Sequence, residues 1–83
     1  MQFVLAEAYG NGFQEDAYMD ADMKLESEFN ESWYGLKEWL EENIDNYMLD
    51  TDYRSIDSYT IHAAMLLVFK EGCDATAFKL TWL

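Results

Sequence analysis

Carboxylates are the side chains of this sequence that could do chemistry. Of its 83 residues, 17 are Asp or Glu and only five are Lys or Arg, which gives a net charge of −12 at pH 7. Carboxylates two positions apart on a strand, or four apart on a helix, lie about 6 Å from each other, so both spacings present rows of negative charge to a basic surface. The candidate partner-binding residues are Asp16, Asp20, Asp22, Glu31, Glu38, Glu41, Glu42, Asp45, Asp50 and Asp52.

The other reactive residues form no recognisable catalytic motif. His62 is the only histidine, and it stands on a predicted strand without a nucleophile at a recognisable turn. Cys73 lies between Glu71 and Asp74, whose negative charge disfavours the reactive thiolate. A pair of carboxylates could serve a glycosidase, but 83 residues leave little room for a sugar cleft. We therefore expect a protein that is not an enzyme.

Calcium is the metal that a carboxylate-rich chain most readily suggests. An EF-hand loop counted from Asp50 fails, because Arg54, Ser55 and Ile61 stand at loop positions 5, 6 and 12, where two oxygen ligands and a glycine are required. Three carboxylates of this segment, Asp50, Asp52 and Asp57, could hold a divalent cation only weakly. We expect no metal and no cofactor.

Length and composition indicate one folded domain over residues 1–83. The apolar fraction of 51% and the aromatic fraction of 17% are too high for a disordered acidic tail. We expect no direct nucleic-acid binding, because it needs clustered Lys and Arg, and negative charge disfavours anionic membranes. One cysteine excludes an intramolecular disulfide, and the chain starts without a signal-like segment, so we expect a cytoplasmic protein.

Two strands and a turn are predicted at the start of the chain. Residues 2–9 read as a strand, and Gly10-Asn11-Gly12 then forms a turn because Gly and Asn accept positive φ. Residues 13–25 alternate apolar side chains with carboxylates, which predicts a second strand with an acidic outer side. A helix over 14–29 is the alternative, since Ala17, Ala21 and Leu25 lie four apart.

The rest of the chain predicts a helix followed by a second hairpin. Apolar residues recur at three and four positions from Ser27 to Met48, which predicts an amphipathic helix. Residues 49–58 read as a polar connection, 59–70 as a strand apolar on both sides, 71–74 as a turn and 75–82 as a last strand. A helix over 58–70 is the alternative, because short apolar runs are ambiguous.

These elements predict an α+β fold, a four-stranded antiparallel sheet in the order ββαββ with one amphipathic helix on one face. One helix covers only one face of such a sheet. The other face, if it carries Val4, Ala6, Ala64, Leu66 and Val68, is an exposed apolar patch that would favour a dimer or a protein partner.

The overall character of the chain resembles that of phage-encoded inhibitors that mimic DNA, namely anti-CRISPR proteins, anti-restriction proteins and uracil-DNA glycosylase inhibitors. The shared features are small size, many aromatic residues, the absence of catalytic motifs and a charge of −12, and no single residue is carried over. The resemblance implies a stoichiometric inhibitor, in the host cell cytoplasm, that occupies the basic site of a bacterial nucleic-acid-binding enzyme. The alternative is a non-enzymatic interaction or assembly module that uses the apolar sheet face, as a homodimer or a hetero-complex.

Overall fold

Three strands and three helices make up the structure, a computed structural model that describes residues 1–83. The elements are β1 (Gln2–Asn11), α1 (Glu15–Ser32), α2 (Leu36–Asn43), β2 (Tyr47–Ser55), β3 (Thr60–Phe69) and α3 (Gly72–Trp82). The strands form one antiparallel sheet in the order β1-β3-β2. The predicted ββαββ fold, with four strands and one helix, is therefore wrong.

The central strand β3 supplies the middle of the core. Its alternate residues Ile61, Ala63, Leu67 and Phe69 are buried, as the two-residue period of a strand requires. β2 pairs with β3 without a register shift, from Tyr47 opposite Phe69 to Ser55 opposite Ile61. The predicted strand over 59–70 is confirmed to within one residue at each end.

A β-bulge in β1 decides which of its residues enter the core. Val4 pairs with Leu66 but Ala6 pairs with Met65, so Leu5 is the extra residue of the bulge. Because the bulge shifts the alternation, Leu5 and Ala6 are both buried. The first predicted strand is confirmed and extends to Asn11, but the prediction that Ala6 lies on the uncovered face is wrong.

All three helices cover the same face of the sheet. Their buried residues are Ala17, Ala21, Leu25 and Phe29 of α1, Leu36 and Leu40 of α2, and Ala75 and Phe78 of α3. The ring of Phe78 lies 5.0 Å from that of Phe3 and 5.6 Å from that of Phe69, between their centroids. None of the helices has both the length and the apolar composition that a membrane span requires.

No helix covers the opposite face, which we call the outer sheet face. Its apolar residues are Val4, Met48, Ala64, Leu66 and Val68, which the strand register places side by side. Val4 and Met48 are 54% and 52% exposed. An apolar, uncovered sheet face is thus present as expected, with Met48 in place of Ala6.

The segment predicted as a strand over 13–25 belongs to α1. The buried residues of this helix recur at every fourth position, which is the spacing of one helical side. Met19 and Met23, which completed the apparent alternation, are 63% and 72% exposed. The helix runs so close to β1 that a Cβ atom at Gly10 would lie 2.0 Å from the carbonyl oxygen of Ala17. The alternative prediction, a helix over 14–29, is the correct one.

The predicted helix from Ser27 to Met48 is interrupted and ends early. The chain leaves α1 at Trp33 and enters α2 after Gly35, whose φ of 82° is a left-handed conformation that glycine adopts readily. The predicted apolar side is buried as far as Ile44, and the chain then turns into β2. Most of the predicted connection over 49–58 is therefore strand.

The last predicted strand, over 75–82, is the helix α3. Ala75 and Phe78 are buried three positions apart, which is a helical spacing. Leu80, which shared the predicted apolar side with Phe78, is 83% exposed. The alternation of apolar residues in this segment was therefore coincidental.

Gly10→Ala tests the close approach of α1 to β1. The added methyl group would lie 2.0 Å from the carbonyl oxygen of Ala17 and 2.4 Å from the backbone nitrogen of Ala21, so one element must move. We expect the free energy of unfolding, measured in urea, to fall by about 3 kcal/mol. Gly72→Ala is the control, because no atom lies within 4 Å of a Cβ at that position. Equal stability of the two variants would contradict the contact.

Candidate acidic binding surface

α1 carries the largest share of the negative charge. Its 18 residues include seven carboxylates and a single lysine. The carboxylates are Glu15, Asp16, Asp20, Asp22, Glu26, Glu28 and Glu31. Because the residues at positions 17, 21, 25 and 29 face the sheet, the carboxylates occupy the remaining sides of the helix.

Asp20 is the candidate residue with the most polar contacts inside the protein. The backbone N–H of Asn11 donates a hydrogen bond of 2.9 Å to Oδ2 of Asp20, and Nζ of Lys24 lies 2.9 Å from the same oxygen. The hydrogen bonds from Asn11 and Lys24 hold the pKa of Asp20 below its ordinary value. Asp20 therefore ties α1 to the end of β1, and Lys24 offsets its charge.

Asp22 connects α1 with β2. Its Oδ1 accepts a hydrogen bond from the hydroxyl group of Tyr53, whose ring also packs against Tyr18 with 5.4 Å between centroids. The hydrogen bond to the carboxylate, with smaller contributions from burial and from the negative charge, raises the pKa of Tyr53 to about 12. Asp22 therefore shares one of its oxygens with the sheet.

Four further candidates, Glu38, Glu41, Glu42 and Asp45, belong to α2 or follow it directly. All four are exposed. The chain has two close contacts between groups of opposite charge, Lys24 with Asp20 and His62 with Glu7, and neither involves these four residues. Their negative charge is therefore not offset by an ion pair.

Trp33 fixes the junction between α1 and α2. Its Nε1 donates a hydrogen bond of 2.6 Å to the carbonyl oxygen of Leu5 at the β-bulge, and its ring lies 5.8 Å from that of Phe78. Asn30 of α1 and Glu38 of α2 line one open pocket of about 240 Å³ beside this junction. Lys37 of α2 lines the same pocket and is the one cation beside this junction. We call the exposed carboxylates of α1 and α2, together with Asp45, the helical acidic surface.

Asp50 and Asp52 lie apart from the other candidates. They stand opposite Leu66 and Ala64 in the register of β2 and β3, so they belong to the outer sheet face. The helices cover the other face. The ten predicted residues thus divide into eight on the helix side of the molecule and two on the opposite side.

Sequence reasoning missed three carboxylates of the helical acidic surface, which are Glu15, Glu26 and Glu28. It also missed that Met19 and Met23 protrude among these charges. The spacing of Ala17, Ala21, Leu25 and Phe29 was the available signal, because a helix with that buried side exposes all the other positions of the segment.

The cysteine and the histidine have only ordinary neighbours. Sγ of Cys73 lies 3.7 Å from Oε2 of Glu71 and 4.0 Å from Oδ1 of Asp74, in an exposed group at the start of α3 with no further ligand. Nε2 of His62 lies 3.4 Å from a carboxylate oxygen of Glu7, on the outer sheet face. We assign no metal to the group around Cys73 and no reaction to His62.

Comparison with protein-family models, curated proteins and solved structures finds no match for this chain. The functional argument therefore depends on the geometry and charge of the surfaces described above.

Asp22→Ala tests the connection between α1 and β2. Without the carboxylate, the pKa of Tyr53 should fall from about 12 toward 10. In the wild type, folding favours the neutral phenol of Tyr53. The hydrogen bond therefore stabilises the folded state fully below about pH 10, and this stabilisation is lost as the pH rises through about 12. NMR titration of the Tyr53 ring carbons measures the pKa. Asp16→Ala, which removes a carboxylate with no tyrosine partner, should leave that pKa unchanged, and an unaltered pKa in Asp22→Ala would exclude the bond.

Proposed function

We propose that this protein inhibits a nucleic-acid-binding enzyme, such as a bacterial defence or DNA-processing enzyme, by occupying its basic nucleic-acid site as a mimic of DNA. The partner is a protein with a basic surface, and the helical acidic surface makes the contact. The observation that carries the proposal is the charge density of α1. An 18-residue helix is about 27 Å long and here carries seven carboxylates, or one per about 4 Å. The phosphates of one DNA strand are spaced at about 3.4 Å.

The shape of the molecule supports the same proposal. Its principal extents are 42 × 21 × 19 Å, so it is an elongated body with a nearly round cross-section. That cross-section is similar to the width of a nucleic-acid duplex. A groove built to hold a duplex would therefore accept the molecule lengthwise, with α1 along one wall.

The carboxylates are also available for binding. Lys24 is the only lysine of α1 and is already paired with Asp20, so most carboxylates of α1 and α2 need not give up an internal partner. Met19 and Met23 add exposed apolar contact area among the charges, and methionine is enriched at the centre of protein interfaces. The carboxylates attract a basic protein site, and the methionines add apolar contact area to the interface.

The binding experiment begins with capture of the partner. Immobilised protein is exposed to bacterial lysate at low salt, and bound proteins are eluted with a salt gradient and identified by mass. The expected partner is a nucleic-acid-binding enzyme whose capture is blocked by duplex DNA and weakens steeply as the salt concentration rises. Affinity that does not change with salt would contradict the proposal.

Charge reversal then locates the contact. The double variant Glu31→Lys and Glu41→Lys should abolish inhibition of the captured enzyme, because two repulsive charges replace two attractive ones. Both residues lie in the last turn of their helix, where lysine is favourable for folding. The control is Asp50→Lys with Asp52→Lys, which changes the net charge equally on the opposite side of the molecule and should retain inhibition. Equal loss in both double variants would show that only net charge matters.

A second candidate function is assembly through the outer sheet face. Val4, Met48, Leu66 and Val68 form a contiguous apolar group on that face, and two of them are more than half exposed. An apolar patch of this kind is typical of a protein interface. This function would use charge for solubility alone.

Leu66→Asp distinguishes this second function. If the outer sheet face joins two copies, the molar mass by light scattering should approach twice 9.8 kDa at high concentration and return to 9.8 kDa in the variant. Leu80→Asp is the control, because it makes the same chemical change at an exposed position on α3. A monomeric wild type at every concentration would contradict a dimer.

A further inference from the structure

The two edges of the sheet differ in how well their backbone groups are covered. Side chains from the helices and their junction reach three backbone groups of β1. These contacts are Trp33 Nε1 to the Leu5 carbonyl oxygen at 2.6 Å, Lys24 Nζ to the Tyr9 carbonyl oxygen at 3.3 Å, and the Asn11 N–H to Asp20 Oδ2 at 2.9 Å. The β-bulge at Leu5 further disrupts this edge. β1 is therefore protected against pairing with another strand.

No helix side chain donates or accepts a hydrogen bond with the backbone of β2. The strand is nine residues long, contains no proline, and pairs with β3 without a bulge. The one side chain that contacts its backbone is that of Asp50, whose Oδ1 accepts a hydrogen bond of 2.9 Å from the adjacent N–H of Thr51. β2 is thus a long, regular edge strand, the kind that accepts another strand.

The hydrogen bonds between β2 and β3 determine which backbone groups of β2 point away from the sheet. Ile56, just after β2, donates its N–H to the carbonyl oxygen of Thr60 at 2.9 Å. The backbone N–H and C=O groups of the even-numbered residues of β2 therefore point toward β3. In an antiparallel pair, alternate residues direct both backbone groups away from the partner. The N–H and C=O groups of Leu49, Thr51 and Tyr53 therefore point outward. Those of Leu49 and Tyr53 are available to a further strand, whereas the N–H of Thr51 must first release Oδ1 of Asp50.

We infer that β2 accepts a fourth strand from an extended, cationic segment of a partner protein. Addition of a strand to a sheet edge is a recurrent mode of peptide recognition, in which main-chain hydrogen bonds supply affinity and alternate side chains supply specificity. The inference goes beyond the proposed inhibition and does not rest on it, because it uses the backbone groups at the free edge of the sheet.

The side chains of β2 specify the chemistry of the added strand. Neighbouring strands place facing side chains about 5 Å apart. On the outer sheet face, the added strand would lie beside Asp50 and Asp52, which favour Lys or Arg, and then beside Arg54, which favours a polar or acidic residue at that end. On the helix side it would lie beside Leu49 and Thr51, which are half-buried and favour apolar residues. The segment that fits is one in which cationic and apolar residues alternate.

A second copy of this chain fits the edge less well. Each copy carries a net charge of −12, so pairing two copies through β2 brings two strongly negative bodies together. A cationic strand lowers that charge instead. Charge complementarity therefore selects a basic partner over self-association.

The probe is a synthetic peptide of the length of β2 in which lysine and valine alternate, added to the full, isotopically labelled chain. Amide hydrogen exchange by NMR is the readout. The N–H groups of Leu49 and Tyr53 should exchange at least about tenfold more slowly with peptide, because each gains a hydrogen bond. Binding without this protection, or no binding at all, would overturn the inference.

Two variants of the experiment separate strand addition from general attraction between charges. A peptide of the same sequence, N-methylated at alternate residues so that it lacks one row of donors, should bind at least about tenfold more weakly. Asp50→Lys with Asp52→Lys should also lose binding, whereas Glu31→Lys with Glu41→Lys, at the same net charge, should retain it. Equal affinity for both peptides, or the reverse order of the double variants, would place the peptide elsewhere.

Thr51→Pro tests the edge from the protein side. Proline is tolerated on an edge strand where the missing N–H faces solvent, so pairing with β3 should persist while peptide affinity falls at least about tenfold. Thr51→Val keeps the N–H and should bind normally. If Thr51→Pro fails to fold, the N-methylated peptide decides the question on the unaltered chain. Protection of the same amides without peptide, increasing with protein concentration, would identify a second copy as the occupant and overturn the inference.

Discussion

The close contact between α1 and β1 at Gly10 determines how this chain displays its charge. Because Gly10 has no side chain, the backbone of α1 can lie directly against β1 at Ala17 and Ala21. The helix is thereby oriented with its small and apolar residues toward the sheet, and its seven carboxylates occupy the other sides. The same contact brings Asp20 to the N–H of Asn11. Core packing and the acidic surface therefore depend on one interaction.

The distribution of charge along the helices opposes stability. Glu15 and Asp16 lie in the first turn of α1, where negative charge is favourable. The last turns of α1 and α2 contain no basic residue and instead carry carboxylates, which interact unfavourably with the helix dipole by a few tenths of a kcal/mol each. Lysine at those positions would stabilise both helices. Acidic residues in these turns are easier to explain by binding than by folding.

The sequence predicted those parts of the fold in which pattern and burial agree. β3 and the buried side of α2 have the expected period, and each faces the core as that period requires, whereas the bulge at Leu5 breaks the period of the correctly predicted strand β1. The prediction was wrong over 13–25 because Met19 and Met23 are apolar yet exposed, so hydrophobicity did not report burial there. It was wrong over 75–82 for the same reason at Leu80.

The candidate site was predicted less completely than the fold. Taking α1 for a strand assigned its carboxylates to one side of a sheet and omitted Glu15, Glu26 and Glu28. The outward direction of the β2 backbone could not be inferred, because 49–58 has no apolar period and becomes a strand only by pairing with β3. Pairing with a neighbouring strand is a contact that the pattern of the segment itself does not contain.

The charge of the chain and the open edge of β2 are physically linked. An unprotected edge strand normally risks pairing with a second copy and aggregating. On β2, Asp50 and Asp52 project from a molecule of net charge −12, so a second copy is repelled before its backbone can pair. The repulsion is screened only beyond about 8 Å at physiological salt, which is farther than the spacing between strands. The same field attracts a cationic strand, so the acidity that protects the edge from self-association also selects what can bind it.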